Sequence, residues 1–229
     1  MEFSLAELTH WSFWVAVLSI VMMDMVLAGD NAVVIAMAAR QLPAHLQQRA
    51  ILIGAAGAVV VRIVLTLIAA EILTIPLLQA AGGVILIPIA IKLLLPKRDE
   101  IREKRSDGGI RAAVQTIIIA DVVMSLDNIL AVAGAANGSF ILVIFGLAVS
   151  IPIVIGGSTI LSRLMSRFPW LVTLGAAILG YTAGSMIIAD RIVGAHLTSW
   201  LPATQWLVPL LVIVLVLVIP QALRYPHKR

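Results

Sequence analysis

Two stretches of this sequence carry carboxylates and amides at one spacing, Asp24-Met-Val-Leu-Ala-Gly-Asp30-Asn31 and Asp121-Val-Val-Met-Ser-Leu-Asp127-Asn128. Each is Asp-x5-Asp-Asn followed by an apolar, alanine-containing tail, and the second begins 97 residues after the first. Both lie in long apolar runs, where an ionised carboxylate is costly unless something neutralises it, so they mark a binding site. Every donor in the motif is an oxygen, which selects hard cations such as Mn²⁺, Mg²⁺ or Ca²⁺ over Zn²⁺ or Cu⁺. The neighbouring Met22, Met23, Met25 and Met124 add a soft thioether option that favours Mn²⁺, although methionine on an apolar helix is filler first.

Helical spacing says which of these groups can converge. At 100° per residue Asp24 and Asn31 share nearly one stripe, and Asp30 lies about 120° away. Gly29 is where the helix most easily loosens to re-aim Asp30, because glycine carries no steric penalty there. The second copy has Leu126 at that position and offers Ser125, which with Asp121 and Asn128 makes an i, i+4, i+7 polar stripe. Two antiparallel copies packed together would gather four Asp, two Asn and one Ser beside Arg62, the mid-span cation and charge partner. Four carboxylates against one guanidinium leave about three negative charges, too many for a low-dielectric interior. A divalent ion or protons must fill the deficit. A site that exchanges one for the other is most of a cation/proton antiporter, with the Asp residues carrying the protons.

The elements that position these residues follow from composition. With 61% apolar and 12% charged residues and a mean hydropathy of +1.08, the chain reads as an all-α, polytopic membrane protein. On a ruler of about 20 residues per span, the apolar runs give seven transmembrane helices, at 12–39, 49–72, 77–96, 111–136, 139–161, 170–190 and 205–224. An N-terminus placed outside and a C-terminus in the cytoplasm put 13 of the 16 Lys and Arg on the inside, as the positive-inside rule prefers. The net charge of +4 is therefore a topology signal, and no nucleic-acid surface is expected. The start lacks a basic n-region, so no cleaved signal peptide is expected; Ser4 and Glu7 fit a capping box instead. The absence of cysteine excludes disulfides and thiolate chemistry.

Organisation follows the motif repeat. Residues 1–96 form a first three-helix unit, 97–110 a mixed-charge cytoplasmic linker, 111–192 a second three-helix unit, and 193–229 a terminal transmembrane helix with a basic tail. A weaker echo, Ala80-Ala-Gly82-Gly83-Val-Ile-Leu against Thr173-Leu-Gly175-Ala-Ala-Ile-Leu, supports the duplication. A three-helix unit used twice enters the bilayer from opposite sides, which makes inverted repeats with a site near the midplane, a common transporter architecture.

The stretches Leu-Ala-Gly-Asp30-Asn31-Ala and Asp121-Val-Val-Met-Ser-Leu-Asp127-Asn128-Ile-Leu-Ala, set among seven spans, resemble the TerC family of integral membrane proteins, in particular its short YjbE-type members. The resemblance covers nearly the whole chain. It implies manganese efflux across the bacterial inner membrane, with Asp24, Asp30, Asn31, Asp121, Asp127 and Asn128 as metal-site residues and Mn²⁺ as the transported ion ahead of Ca²⁺ or Mg²⁺.

The remaining polar residues have plainer readings. Glu71 and Asp190 fall at external span ends, where a headgroup-level carboxylate is cheap or lines an exit vestibule. Lys92 snorkels to the cytoplasmic face, and the four histidines show no metal-ligand spacing. Pro88 and Pro152 lie inside spans, where a kink is expected. Gly54, Gly57, Gly156, Gly157, Gly180 and Gly184 allow close helix approach. An intramembrane aspartyl protease also uses two membrane Asp, but its second motif is Gly-x-Gly-Asp and here the run is Leu27-Ala-Gly-Asp30; no enzyme is expected. A cation channel and a non-transporting membrane scaffold are the alternatives to a secondary transporter. Oligomeric state is not encoded in these patterns.

Overall fold

The computed structural model describes residues 11–27, 29–72, 74–95, 107–136 and 139–224. The capping box at Ser4 and Glu7, the linker residues 97–106 and the basic tail 225–229 lie outside them. Among the described residues the fold is all helix: α1 (Trp11–Leu27), α2 (Gly29–Ala39), α3 (Ala44–Leu67), α4 (Ala69–Ile72), α5 (Leu78–Leu94), α6 (Asp107–Ala135), α7 (Phe140–Arg167), α8 (Trp170–Ala189), α9 (Arg191–Trp200) and α10 (Thr204–Arg224).

Five of these, α3, α6, α7, α8 and α10, have the length and hydropathy to cross a bilayer; Phe13–Val26 with Gly29–Ala39 makes a sixth span, bent by 56° at its break. The seventh expected span is α5, which is apolar but only 17 residues long, at the short limit for spanning. Among the described residues the count is thus five to six, against seven expected. The span read as one helix over 12–39 is two, and the break falls between Leu27 and Gly29. There α1 ends and α2 begins, leaving orphan N–H groups at the start of α2. Asp30 answers one of them: its Oδ1 accepts the Asn31 N–H at 3.0 Å.

The short helix α2 is the centre of the bundle. Val33 through Ala39 are all buried, and α2 packs against α3, α5, α6, α7 and α8. Its small side chains let five neighbours close on it. Beside it, α6 packs along α3, and α8 is clasped between α5 and α10. Along α10, Pro209, Val212, Val216 and Pro220 are buried at spacings of three and four, while Trp206, Leu207, Leu210, Leu211, Val214 and Val218 form an exposed apolar stripe. An apolar stripe of that extent suits lipid rather than water.

Close helix approach is real at four of the six glycines expected to allow it. A Cβ on Gly184 would sit 2.5 Å from Pro209 Cα, one on Gly180 3.0 Å from Ile213 Cα, and those on Gly54 and Gly57 2.8 and 2.9 Å from Ile117 and Ile118 side chains. Gly156 and Gly157 have nothing within 4 Å among the described residues, so they pack against none of the described helices. Helices α5 and α7 continue through Pro88 and Pro152. The short helix α9 was not legible as an element; it follows α8 directly and begins at an Asp190 cap.

Candidate metal centre

The two motifs meet. Asn31 at the start of α2 donates through Nδ2 to Asp121 Oδ1 on α6 at 3.0 Å. Arg62 comes in from α3, 4% exposed. Its Nη1 pairs with Asp24 Oδ1 on α1, its Nη2 with Asp121 Oδ1, and its Nε donates to Ser125 Oγ at 3.0 Å. Ser125 Oγ donates in turn to Asp121 Oδ2 at 3.3 Å. One guanidinium therefore holds one carboxylate from each motif, with Asp24 1% and Asp121 5% exposed. Thr66, a turn further along α3, donates to the Arg62 carbonyl at 2.8 Å and belongs to the same buried polar group.

A cavity of about 10 Å³ adjoins these groups, lined by Asp24, Asn31, Arg62, Asp121 and Ser150 among apolar residues of α2, α3 and α7. That is the threshold for a single water. Two buried acceptors on its lining residues, Asp24 Oδ2 and Asn31 Oδ1, have no hydrogen-bond donor among the described residues. A buried acceptor left without a donor costs about 1–3 kcal/mol. Carboxylate and amide oxygens so placed fit a hard cation.

The expected gathering of four Asp does not form among the described residues. No three Asp, Glu, His or Cys there are grouped as metal ligands are. Asp30, just past the break between Leu27 and Gly29, accepts from Thr182 Oγ1 of α8 at 3.2 Å and is not grouped with Asp24 and Asp121. Asp127 lies on α6, and its side chain is outside the described set. Asn128 is buried on the same helix. Met22 and Met25 are exposed and Met124 is in the apolar core, so none of the three lines the cavity.

Two residues near the motifs escaped the sequence reading. Ser150, on α7, lines the cavity and donates to the Leu147 carbonyl at 2.9 Å. Thr182 lies about 200° round α8 from Gly180 and Gly184, on the face opposite the one those glycines pack against α10; a lone hydroxyl on an apolar helix was the faint signal. Asp190, read as a headgroup or vestibule carboxylate, caps helices instead. Its Oδ1 accepts from Ile192 and Val193 of α9 at 3.0 and 3.1 Å, and its Oδ2 from Ala80 of α5 at 3.3 Å. Burial works to raise its pKa, but these three donors outweigh it and hold the carboxyl below the usual range. Glu71 is exposed in α4, and Lys92 is exposed near the end of α5.

An all-helical bundle with bilayer-length apolar helices and a charged centre buried between them is the design of a multi-pass integral membrane protein. The model of the integral membrane protein TerC family matches residues 9–228, and the chain belongs to that family. It is 43% identical over 179 residues to the uncharacterized membrane protein YjbE of Bacillus subtilis (strain 168), covering 78% of this chain and 82% of that one. It is 25% identical over 187 residues to the uncharacterized membrane protein YkoY of the same organism, covering 73% of this chain and 57% of YkoY. No solved structure matches.

Proposed function

We propose that this protein is a secondary transporter that exports a hard divalent cation from the cytoplasm, with Mn²⁺ as the cargo. The observation that carries the reading is the meeting of the motifs. Asp24 and Asp121, contributed by separate repeats and both buried, converge on a single cationic group, with Asp24 Oδ2 and Asn31 Oδ1 left without donors among the described residues. Carboxylates are not kept inside a bilayer for packing, because hydrophobic residues of similar size do that better. Oxygen-only donors select the hard divalent class, and family membership is consistent with membrane ion transport.

In this reading the bacterial inner membrane is the location, the basic loops and C-terminus face the cytoplasm, and the two three-helix units are inverted repeats that rock about the centre. Cargo loads at Asp24, Asn31 and Asp121, with Ser125, Asp127 and Asn128 on the α6 side, and Asp30 with Thr182 lines the route next to it. Protons moving inward restore the charge when cargo leaves. Reconstituted protein with Mn²⁺ on one side and a pH-sensitive dye inside the vesicles tests this. Expected are saturable Mn²⁺ flux with opposed proton movement, and loss of flux in Asp24→Asn and Asp121→Asn. Non-saturating flux without proton counterflow would make it a channel. Function in cells that survives both substitutions would make it a scaffold.

A further inference from the structure

Arg62 is bound at every nitrogen it has. Nη1 is on Asp24, Nη2 on Asp121 and Nε on Ser125, while its backbone carbonyl accepts from Thr66. The Asp121 oxygen it holds is the one Asn31 also holds. Both carboxylate contacts are charge-assisted hydrogen bonds, about twice as strong as neutral ones. Arg62 also takes one oxygen of each carboxylate that a divalent cargo would need, and the remaining space, about 10 Å³, is that of a single water.

We infer that the Arg62 guanidinium is a tethered stand-in for the cargo: it neutralises the two motif carboxylates when no ion is bound and is displaced when one loads. The inference rests on the transporter reading and adds to it a selectivity device. With Arg62 in place the two carboxylates keep one net negative charge; with a divalent ion instead, none. Both cations together would put like charges in contact where dielectric screening is weak. A monovalent ion gains nothing by displacement, since it replaces one positive charge with one and forfeits the forked hydrogen bonds. A divalent ion brings one charge more. Arg62 therefore sets a threshold that Na⁺ and K⁺ do not cross, and it prevents the emptied site from collapsing into two unpaired buried carboxylates.

Titrating MnCl₂ into purified wild-type protein, Arg62→Gln, Arg62→Lys and Asp121→Asn, with calorimetric readout, tests this. Removing the competitor should tighten Mn²⁺ binding at least tenfold in Arg62→Gln. Lysine, a point charge without the fork, should fall between Gln and wild type, and Asp121→Asn should lose binding. Na⁺ at high concentration should weaken Mn²⁺ binding to Arg62→Gln and leave wild type unmoved. Equal or weaker binding by a monodisperse Arg62→Gln overturns the inference while leaving the transporter reading intact. No Mn²⁺ binding by any of the four proteins takes down that reading and the inference with it. If Arg62→Gln does not yield folded protein, Arg62→Ala supplied with free guanidinium replaces it. Guanidinium should then stabilise the protein and compete with Mn²⁺ dose by dose, and Mn²⁺ binding unaffected by guanidinium overturns the inference.

Discussion

Asn31 and Asp121, ninety residues apart in sequence, share a 3.0 Å hydrogen bond in the interior. It joins the start of α2, the bundle's central helix, to α6, and so couples the two Asp-Asn motifs directly. A hydrogen bond to a charged partner contributes about 1.5–3 kcal/mol. A double-mutant cycle with Asn31→Ala and Asp121→Asn, read by thermal or denaturant unfolding in detergent, should give a coupling energy of about 1–3 kcal/mol. Additive effects would show that the contact does no coupling.

The described motif carboxylates are not equivalent, because Asp30 hydrogen-bonds Thr182 whereas Asp24 and Asp121 pair directly with Arg62. Asp24→Asn and Asp121→Asn should abolish Mn²⁺ binding, since each removes a charge that holds the cation. Asp30→Asn and Thr182→Val should cost no more than about 10–100-fold in affinity, the range of groups that act beside a site instead of in it, while slowing flux. Binding isotherms run beside proteoliposome flux separate the two classes. Equal loss of binding in all four variants would put Asp30 back in the primary site.

How far the sequence foretold this arrangement depends on whether a feature is local. A weak point at Gly29, in an apolar helix that also carries two carboxylates, was legible, and the break lies just before it. The pairing of the motifs followed from their repetition and the presence of Arg62 beside a carboxylate from charge balance; that it would hold one carboxylate from each motif did not. Where Asp30 points was not legible: the helical-wheel angle assumes a continuous helix, and its partner, Thr182, is 152 residues away. For α9 the difficulty was different. Its ten residues are too short and too mixed to register as a span, and the one local cue, an Asp just before an apolar pair, was outweighed by its position at a membrane boundary.

The glycines divide by what stands opposite them. On Gly184 a methyl group would meet the Pro209 backbone at 2.5 Å, and backbone cannot swing aside. Gly184→Ala should therefore push α10 off α8 and cost about 1–3 kcal/mol, as overpacking does. Gly156→Ala and Gly157→Ala, in α7 with open space around them, should be neutral or stabilising by up to about 1 kcal/mol, since alanine favours helix more than glycine does. Melting midpoints of the three variants in one detergent check this. A loss at Gly156 or Gly157 matching that at Gly184 would mean that these two meet a second molecule.

Asp190 serves two helices at once. It is the N-cap of α9, and its other oxygen takes an N–H from the first turn of α5, where Leu77 is in a left-handed conformation and gives no side-chain cap. Asp190→Ala leaves three backbone donors without their acceptor, the Ala80 one buried, and should cost about 1–2 kcal/mol, the upper range for a lost cap. The pH dependence has a fixed sign. The folded carboxyl titrates below its unfolded value, which is about 3.9, so the contribution of its charge is complete above that pH and disappears as pH falls through the folded value. Asp190→Asn keeps acceptor geometry without the charge. Its melting midpoint should trail wild type at neutral pH and converge on it in acid below about pH 4. A gap that widens in acid would mean that the carboxylate is strained, and that burial outweighs the three donors.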